Sequence, residues 1–172
     1  MRCLGERGFA LLTQRWKTLR PLHVIVFPFR VTAAGSEYAI FRRADDGCWQ
    51  GVAGGVEEGE DLVTAARRET AEEAGLAGGS PVYKLDMVSG VARTWFAASQ
   101  HWPGDLYIVA KHHFAMDVTR EPAPVVLSPE HSEFRWAPYG EASAALRYDD
   151  DKTALWELDA RLRAGDLSAA LT

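Results

Sequence analysis

Residues 54–76 read G-G-V-E-E-G-E-D-L-V-T-A-A-R-R-E-T-A-E-E-A-G-L, and the rest of the chain is organised around them. Asp61 is a good N-cap for a helix starting at Leu62. Gly75 followed by Leu76 makes a left-handed stop with its apolar contact. Inside that helix Glu69, Glu72 and Glu73 stand at i, i+3 and i+4 and share one face. At about 100° per residue, Leu62, Ala65 and Ala66 fall on the same side, so the acids continue a small apolar stripe and do not oppose one. They also crowd the helix C-terminus, where the macrodipole disfavours anions, and like charges at i, i+4 repel by about 0.2–0.5 kcal/mol per pair. Arg68 can relieve Glu72, but one guanidinium does not neutralise three carboxylates. A divalent cation would turn the liability into a site, because hard cations such as Mg²⁺ take oxygen ligands. The competing reading is a solvated acidic face in a chain with 24 acidic residues.

The spacing decides between the two. Five residues separate Gly54 from Glu60, and seven more separate Glu60 from Arg68-Glu69, with Glu72-Glu73 and Gly75-Leu76 following. Over these 23 positions the stretch resembles the signature of the Nudix hydrolase family. The one departure is Thr70, where the family carries an aliphatic residue; a β-branched Thr fills nearly the space of Val, a packing change.

Composition sets the outer limits. The chain has 172 residues and 47% hydrophobic content, enough for one domain with a real core. Its net charge of −5 and the lack of a basic block argue against a nucleic-acid polyanion as partner. A small phosphorylated ligand stays compatible, since a metal can carry the charge. Cys3 and Cys48 make no metal-spaced pair and no disulfide framework, which fits a reducing cytoplasm. Phe9–Leu12 is too short for a signal-peptide core, and no stretch approaches a membrane span. Monomer and homodimer are both compatible with the sequence.

In chain order, residues 1–20 form a mixed-charge N-terminal extension, and residues 21–172 form the domain. His23–Phe29 reads as a buried strand, with Pro28 marking an edge or a bulge. Glu37–Arg42 is its partner. Trp49–Ala53 leads as a short strand into a glycine loop ahead of the acidic helix. Val82–Val88 is a strand that can extend through Val91–Phe96, and residues 97–104 are a loop tip. Asp105–Val118 is the longest β-rich run, with His112 and His113 on opposite faces in hydrogen-bonded structural roles. Glu133–Ala137 is a short strand ended by Pro138-Tyr139. A helix from Asp151 or Lys152 to Ala164 closes the chain, with Leu155, Leu158 and Leu162 on one face. This element mix is α+β; the resemblance implies the family's α/β/α sandwich around a mixed β-sheet.

The resemblance also implies hydrolysis of a diphosphate linkage. That chemistry needs charge neutralisation on non-bridging oxygens, an oriented water and a base. Glu69, Glu72 and Glu73 are the candidate ligands for Mg²⁺ or Mn²⁺, with Glu72 reaching a second ion or acting in catalysis. A backbone carbonyl near Ala53 or Gly54 could complete the shell. Arg68 is read as orienting Glu69 or Glu72, and Glu60 as structural or peripheral. Outside the signature, W-Q-G-V-A-G-G-V-E-E-G-E from Trp49, R-R-A-D from Arg42 and E-H-S-E-F-R-W from Glu130 resemble the dihydroneopterin triphosphate diphosphatase group of the family. By that match Glu130 is the candidate general base or an additional metal ligand, and His131 is a loop-packing group. Trp49, Trp95, Phe96 and Trp102 could stack on a base or pterin ring; Trp95 and Phe96 could equally be core, with Trp102 packing a turn. Arg42 and Arg43 could contact phosphate or be solvated. Ser99–Pro103 partly resembles an element of the NADH diphosphatases, so dinucleotides (NADH or a dinucleoside polyphosphate) are the alternative substrates. A catalytically silent nucleotide-binding module is the alternative from another class. The expected reaction is therefore metal-dependent release of pyrophosphate from a nucleoside or pterin triphosphate such as dihydroneopterin triphosphate or a dNTP.

Overall fold

Val24–Phe29 is continuously apolar, and a strand with that pattern has to be covered on both faces. The computed structural model, which describes residues 19–76, 79–120 and 124–167, places it at the centre of the sheet. β1 (Leu19–Thr32) runs parallel to β6 (Ile108–Asp117) along one edge. Its other edge is shared by two antiparallel partners, β4 (Val52–Glu57) for the first half and β2 (Gly35–Arg43) for the second. β2 also pairs with β3 (Trp49–Gln50) and β7 (His131–Pro138), and β6 pairs with β5 (Val82–Ala92). Among the described residues the result is a seven-stranded mixed sheet.

Pro28 does not mark an edge strand. It falls between Val26, the last residue paired with β4, and Phe29, the first paired with β2. The residue without an N–H thus sits where that edge of β1 changes partner, which is how a proline is accommodated in a central strand.

Alternation along β1 divides the core. Val24 and Val26 pack with Phe41, Val52, Phe114 and the small residues Ala65, Ala66 and Ala74 of helix α1 (Leu62–Ala74). Ile25, Phe27 and Phe29 pack on the opposite face with Ala142 of α2 (Tyr139–Ala145) and with Leu155 and Leu158 of α3 (Asp149–Ala164). Helices therefore cover both faces, giving the α/β/α sandwich. α3 starts at Asp149, two residues ahead of the expected range, because Asp149, Asp150 and Asp151 in its first turn suit the positive end of the helix dipole.

β5 runs unbroken through Gly90, with a register shift between Lys84 and Val88. The Glu157 carboxylate of α3 fills that irregularity by accepting Asp86 N–H at 2.6 Å and Met87 N–H at 2.9 Å. Short 3₁₀ turns follow at Arg93–Trp95 and Ala97–His101. No helix among the described residues is long and apolar enough to cross a membrane.

Candidate active site

The α1 acids are held against β4 by a missing side chain. Gly54 pairs with Val24 inside β4, so the glycine pair is strand and not loop. A Cβ built at Gly54 would lie 2.0 Å from Glu69 Cδ and 2.3 Å from its Oε1. Only glycine lets the Glu69 carboxylate pass there while the backbone stays in the sheet. The helix itself is set as its caps dictate: Asp61 accepts Thr64 N–H at 2.8 Å, and Gly75 takes φ 67° and donates to Ala71 O. Thr70, fully buried, donates its hydroxyl to Ala66 O at 2.7 Å, which satisfies the polar atom an aliphatic residue would lack.

Arg68 is the hub of this bracket. Its fork donates to both Glu60 oxygens at 2.9 Å, to Glu69 Oε1 at 2.6 Å and to Gly55 O at 2.8 Å. Glu72 Oε2 is farther, at 3.6 Å, on a side chain 44% exposed. These acceptors raise the Arg68 pKa, Glu60 first. Burial pushes the Glu60 carboxyl up, but the Arg68 bond and the Glu57 N–H outweigh it and leave it below its ordinary value. Glu60 is therefore more than peripheral. It also accepts Glu57 N–H at 3.0 Å, and so ties the loop before α1 to the arginine that orients Glu69.

Glu73 is held from a different side. It is 4% exposed, and its Oε2 accepts His131 Nε2–H at 2.8 Å and Ala53 N–H at 3.3 Å. His131 opens β7, packs on the Phe41 ring and reaches the acid on α1, so it does more than pack a loop. The segment before it is zipped to the end of the helix, with Val126 N–H donating to Ala74 O and Ser128 N–H to Glu73 O. Ala44 N–H donates to Glu130 O, which fixes that end of the loop to the β2–β3 turn. Glu130 thereby lines a cavity of about 200 Å³ together with Glu73, His131, Ala53, Gln50 and Arg43.

A second cavity, of about 610 Å³, continues from this one and shares Arg43, Gln50, Ala53 and Glu130 with it. Its walls include His23, Trp95, Phe96, Tyr148 and Lys111. Trp95, 72% exposed, stands at the mouth. The other sequence candidates lie elsewhere. Trp102 is buried against Phe96, with its indole N–H donating to Leu19 O at 2.7 Å. Trp49 lies under the Arg135 guanidinium on the far side of β3. Arg42 donates to Gly47 O and faces Glu133, whereas Arg43 is the one of the pair that reaches both cavities.

The floor of the larger cavity is a closed ionic cluster. His113, Asp150 and Asp151 bring ligand atoms within 4.8 Å of one another, a spacing a metal could use. The cation there is already supplied by Lys111 Nζ, 2.8 Å from Asp150 and 2.9 Å from Asp151. Burial pushes the Lys111 pKa down, but Asp151 and Asp150 outweigh it and hold it above the ordinary lysine value. His113 is fully buried with its ring nitrogens facing Met87 O and Asp151, and His112 lies on the opposite face of β6. His23 beside them stays neutral: burial, then Lys111, lowers its pKa to about 3.

Sequence reasoning passed over Gln50, Lys111, Asp150 and His23. Two of them carried a signal. Lys111 is a lone lysine in an apolar strand, and Gln50 is a polar residue inside a strand leading to the glycine pair; both are residue types rarely buried without a partner.

The NUDIX domain model matches residues 20–157. A NUDIX hydrolase from Listeria monocytogenes superposes with a TM-score of 0.79 at 37% identity, covering 87% of this chain and 99% of that one. The dihydroneopterin triphosphate pyrophosphohydrolase of E. coli has a TM-score of 0.68 at 21% identity, covering 84% and 98%, and shares the fold. In sequence, the chain is 31% identical over 102 residues to an RNA pyrophosphohydrolase from Sphingopyxis alaskensis; the match takes in 54% of this chain and spans 62% of that protein's length.

Proposed function

Because the chain belongs to the Nudix hydrolase family, we propose that it is a divalent-metal-dependent pyrophosphohydrolase of a nucleoside or pterin triphosphate, either dihydroneopterin triphosphate or a dNTP. The observation that carries this reading is the joining of two spaces: the buried α1 acid Glu73 faces, together with Glu130, a small cavity that opens into one sized for a single ring-bearing group. Glu69, Glu72 and Glu73 are the candidate holders of Mg²⁺ or Mn²⁺. Their fit rests on an all-oxygen donor set and on the notch at Gly54 that a Cβ would fill. When bound, the ion would neutralise charge on phosphate oxygens and acidify a water.

The chain's own residues supply the rest. Arg68 orients Glu69 and offsets part of the acidic charge, and His131 and Ala53 N–H fix Glu73. Glu130, at the neck between the cavities, takes the proton as water oxygen attacks phosphorus. The bond from that phosphorus to the bridging oxygen breaks, and pyrophosphate leaves with the electron pair. The organic monophosphate stays on the ring side, against Trp95 and Phe96, where stacking contributes about 1–3 kcal/mol. Keeping all three acids gives no advantage to a silent nucleotide-binding module, which weighs against that class.

The test is a substrate panel with products identified: dihydroneopterin triphosphate, the dNTPs, oxidised dGTP, dinucleoside polyphosphates, NADH, ADP-ribose and a 5′-triphosphorylated RNA. The expected outcome is pyrophosphate plus a monophosphate from a small triphosphate. AMP from NADH, or turnover confined to the RNA, would replace this reading.

A further inference from the structure

Gln50 ends β3 and is 6% exposed. Its carboxamide is not among the fully enclosed polar atoms that lack a partner, so it opens onto cavity space and not onto packed protein. No residue among those described hydrogen-bonds to this side chain. Its surroundings explain where partners would come from. Gln50 lines both cavities, at the neck where the small acidic space meets the larger ring-sized one. It pairs with Phe41 across β3 and β2, and directly opposed strand residues share a face. Phe41 in turn carries His131, the residue bonded to Glu73. The amide therefore leaves the sheet toward the acids.

We propose that Gln50 positions the substrate, its two amide N–H groups donating to a non-bridging oxygen of the phosphoryl group joined to the ring-bearing part. The inference rests on the proposed reaction. A phosphoryl group at the neck lies between Glu73 and Glu130 on one side and Asp150 on the other, all acceptors. The cations nearby are committed: Arg43 is bonded to Asp45 at 2.9 Å and faces Asp46 at 3.4 Å, and Lys111 is held by Asp150 and Asp151. A glutamine adds two donors with no countercharge to recruit, and a glutamate at the same point would offer acceptors alone.

The test uses Gln50→Met and Gln50→Glu with the fastest triphosphate from the panel and its α,β-methylene analogue, at fixed Mg²⁺. Gln50→Met keeps the shape and removes the donors. It should raise KM and weaken analogue binding by about tenfold, the scale of a hydrogen bond to a charged group, with kcat changed less than KM and the thermal midpoint held. Gln50→Glu should weaken the analogue further, because it places a carboxylate against the phosphoryl oxygen. Gln50→Asn, which keeps the amide but withdraws it from the neck, substitutes if the Met variant loses its fold, and should weaken the analogue in the same way. Analogue affinity within twofold of wild type in the folded variants would overturn the inference while the reaction stands. A wild-type chain that releases pyrophosphate from no triphosphate would instead overturn the reaction, and Gln50 with it.

Discussion

At the scale of single residues, two carboxylates that line one cavity, Glu73 and Glu130, have different proposed roles, and their substitutions should separate. Glu73 is nearly sealed and already accepts from His131 and Ala53. Glu73→Gln keeps its shape but removes a candidate metal ligand, so turnover should fall by at least a hundredfold and Mg²⁺ affinity should fall with it. Glu130→Gln should lose turnover by about 10²–10⁴, the range of general-base catalysis, with Mg²⁺ affinity held. Titration of Mg²⁺ by calorimetry beside steady-state kinetics reads both. Unchanged rates in Glu73→Gln would remove the metal assignment, and wild-type rates in Glu130→Gln would return the base to the helix. Helical spacing made the shared face of Glu69, Glu72 and Glu73 readable, and the resemblance to the family signature, not the spacing of the helix alone, made them candidate metal ligands. Gln50 and Glu60 were not readable, since their roles depend on which side chain lies across from them in space.

At the scale of elements, the decisive unit is α1 with the segment that locks onto its C-terminus. Strand patterns and the caps at Asp61 and Gly75 were legible because they are local chemistry. The partner change at Pro28 was not, because a proline reads as an edge until the two strands that share one side of β1 are known. α2 was missed for a related reason. Its N-cap Pro138 makes no side-chain bond, and a seven-residue helix containing Gly140 forms chiefly because Ala142 and the following Leu146 bury against the sheet. The lock itself is testable at Gly75. It has φ 67°, and an added Cβ would come 2.9 Å from Val126 Cβ. Gly75→Ala therefore meets two penalties: about 1–2 kcal/mol for the left-handed conformation, and displacement of the strand-like segment that carries Ser128 onto Glu73 O. Denaturant unfolding should register the first. A drop in turnover larger than the stability loss explains, under conditions where the variant stays folded, should register the second. A variant with lowered stability and normal turnover would mean that this docking does not set Glu130.

At the scale of the whole molecule, the sandwich has to keep a ring-sized cavity open beside buried charges, and that arrangement makes stability depend on pH in a particular window. His23 faces Lys111 and His113 on β6, Asp151 on α3 and Arg43 on β2, with the Phe96 ring packed on it at 5.3 Å. Burial first, and Lys111 next, lower its pKa from 6.5 to about 3 in the fold. His112, on the other face of β6, is lowered as well, by burial and then by Lys84. Well above pH 6.5, by about a unit or more, both histidines are neutral whether the chain is folded or not, and they leave stability unchanged. Below it the unfolded chain binds protons that the fold refuses, so stability falls as pH falls, by at most about 1.4 kcal/mol per pH unit for each group. The carboxyls of Glu60 and Asp150, both lowered in the fold, act in the same direction but only nearer pH 4, as they approach their ordinary range. The histidine contribution can therefore be isolated between pH 6.5 and 5. The thermal midpoint of the wild type should drop across that interval, and His23→Gln, which cannot take a proton, should drop less. Parallel curves for the two proteins would mean that the His23 ring accepts a proton inside the folded cavity, and that the floor beneath the substrate is wetter than its packing implies.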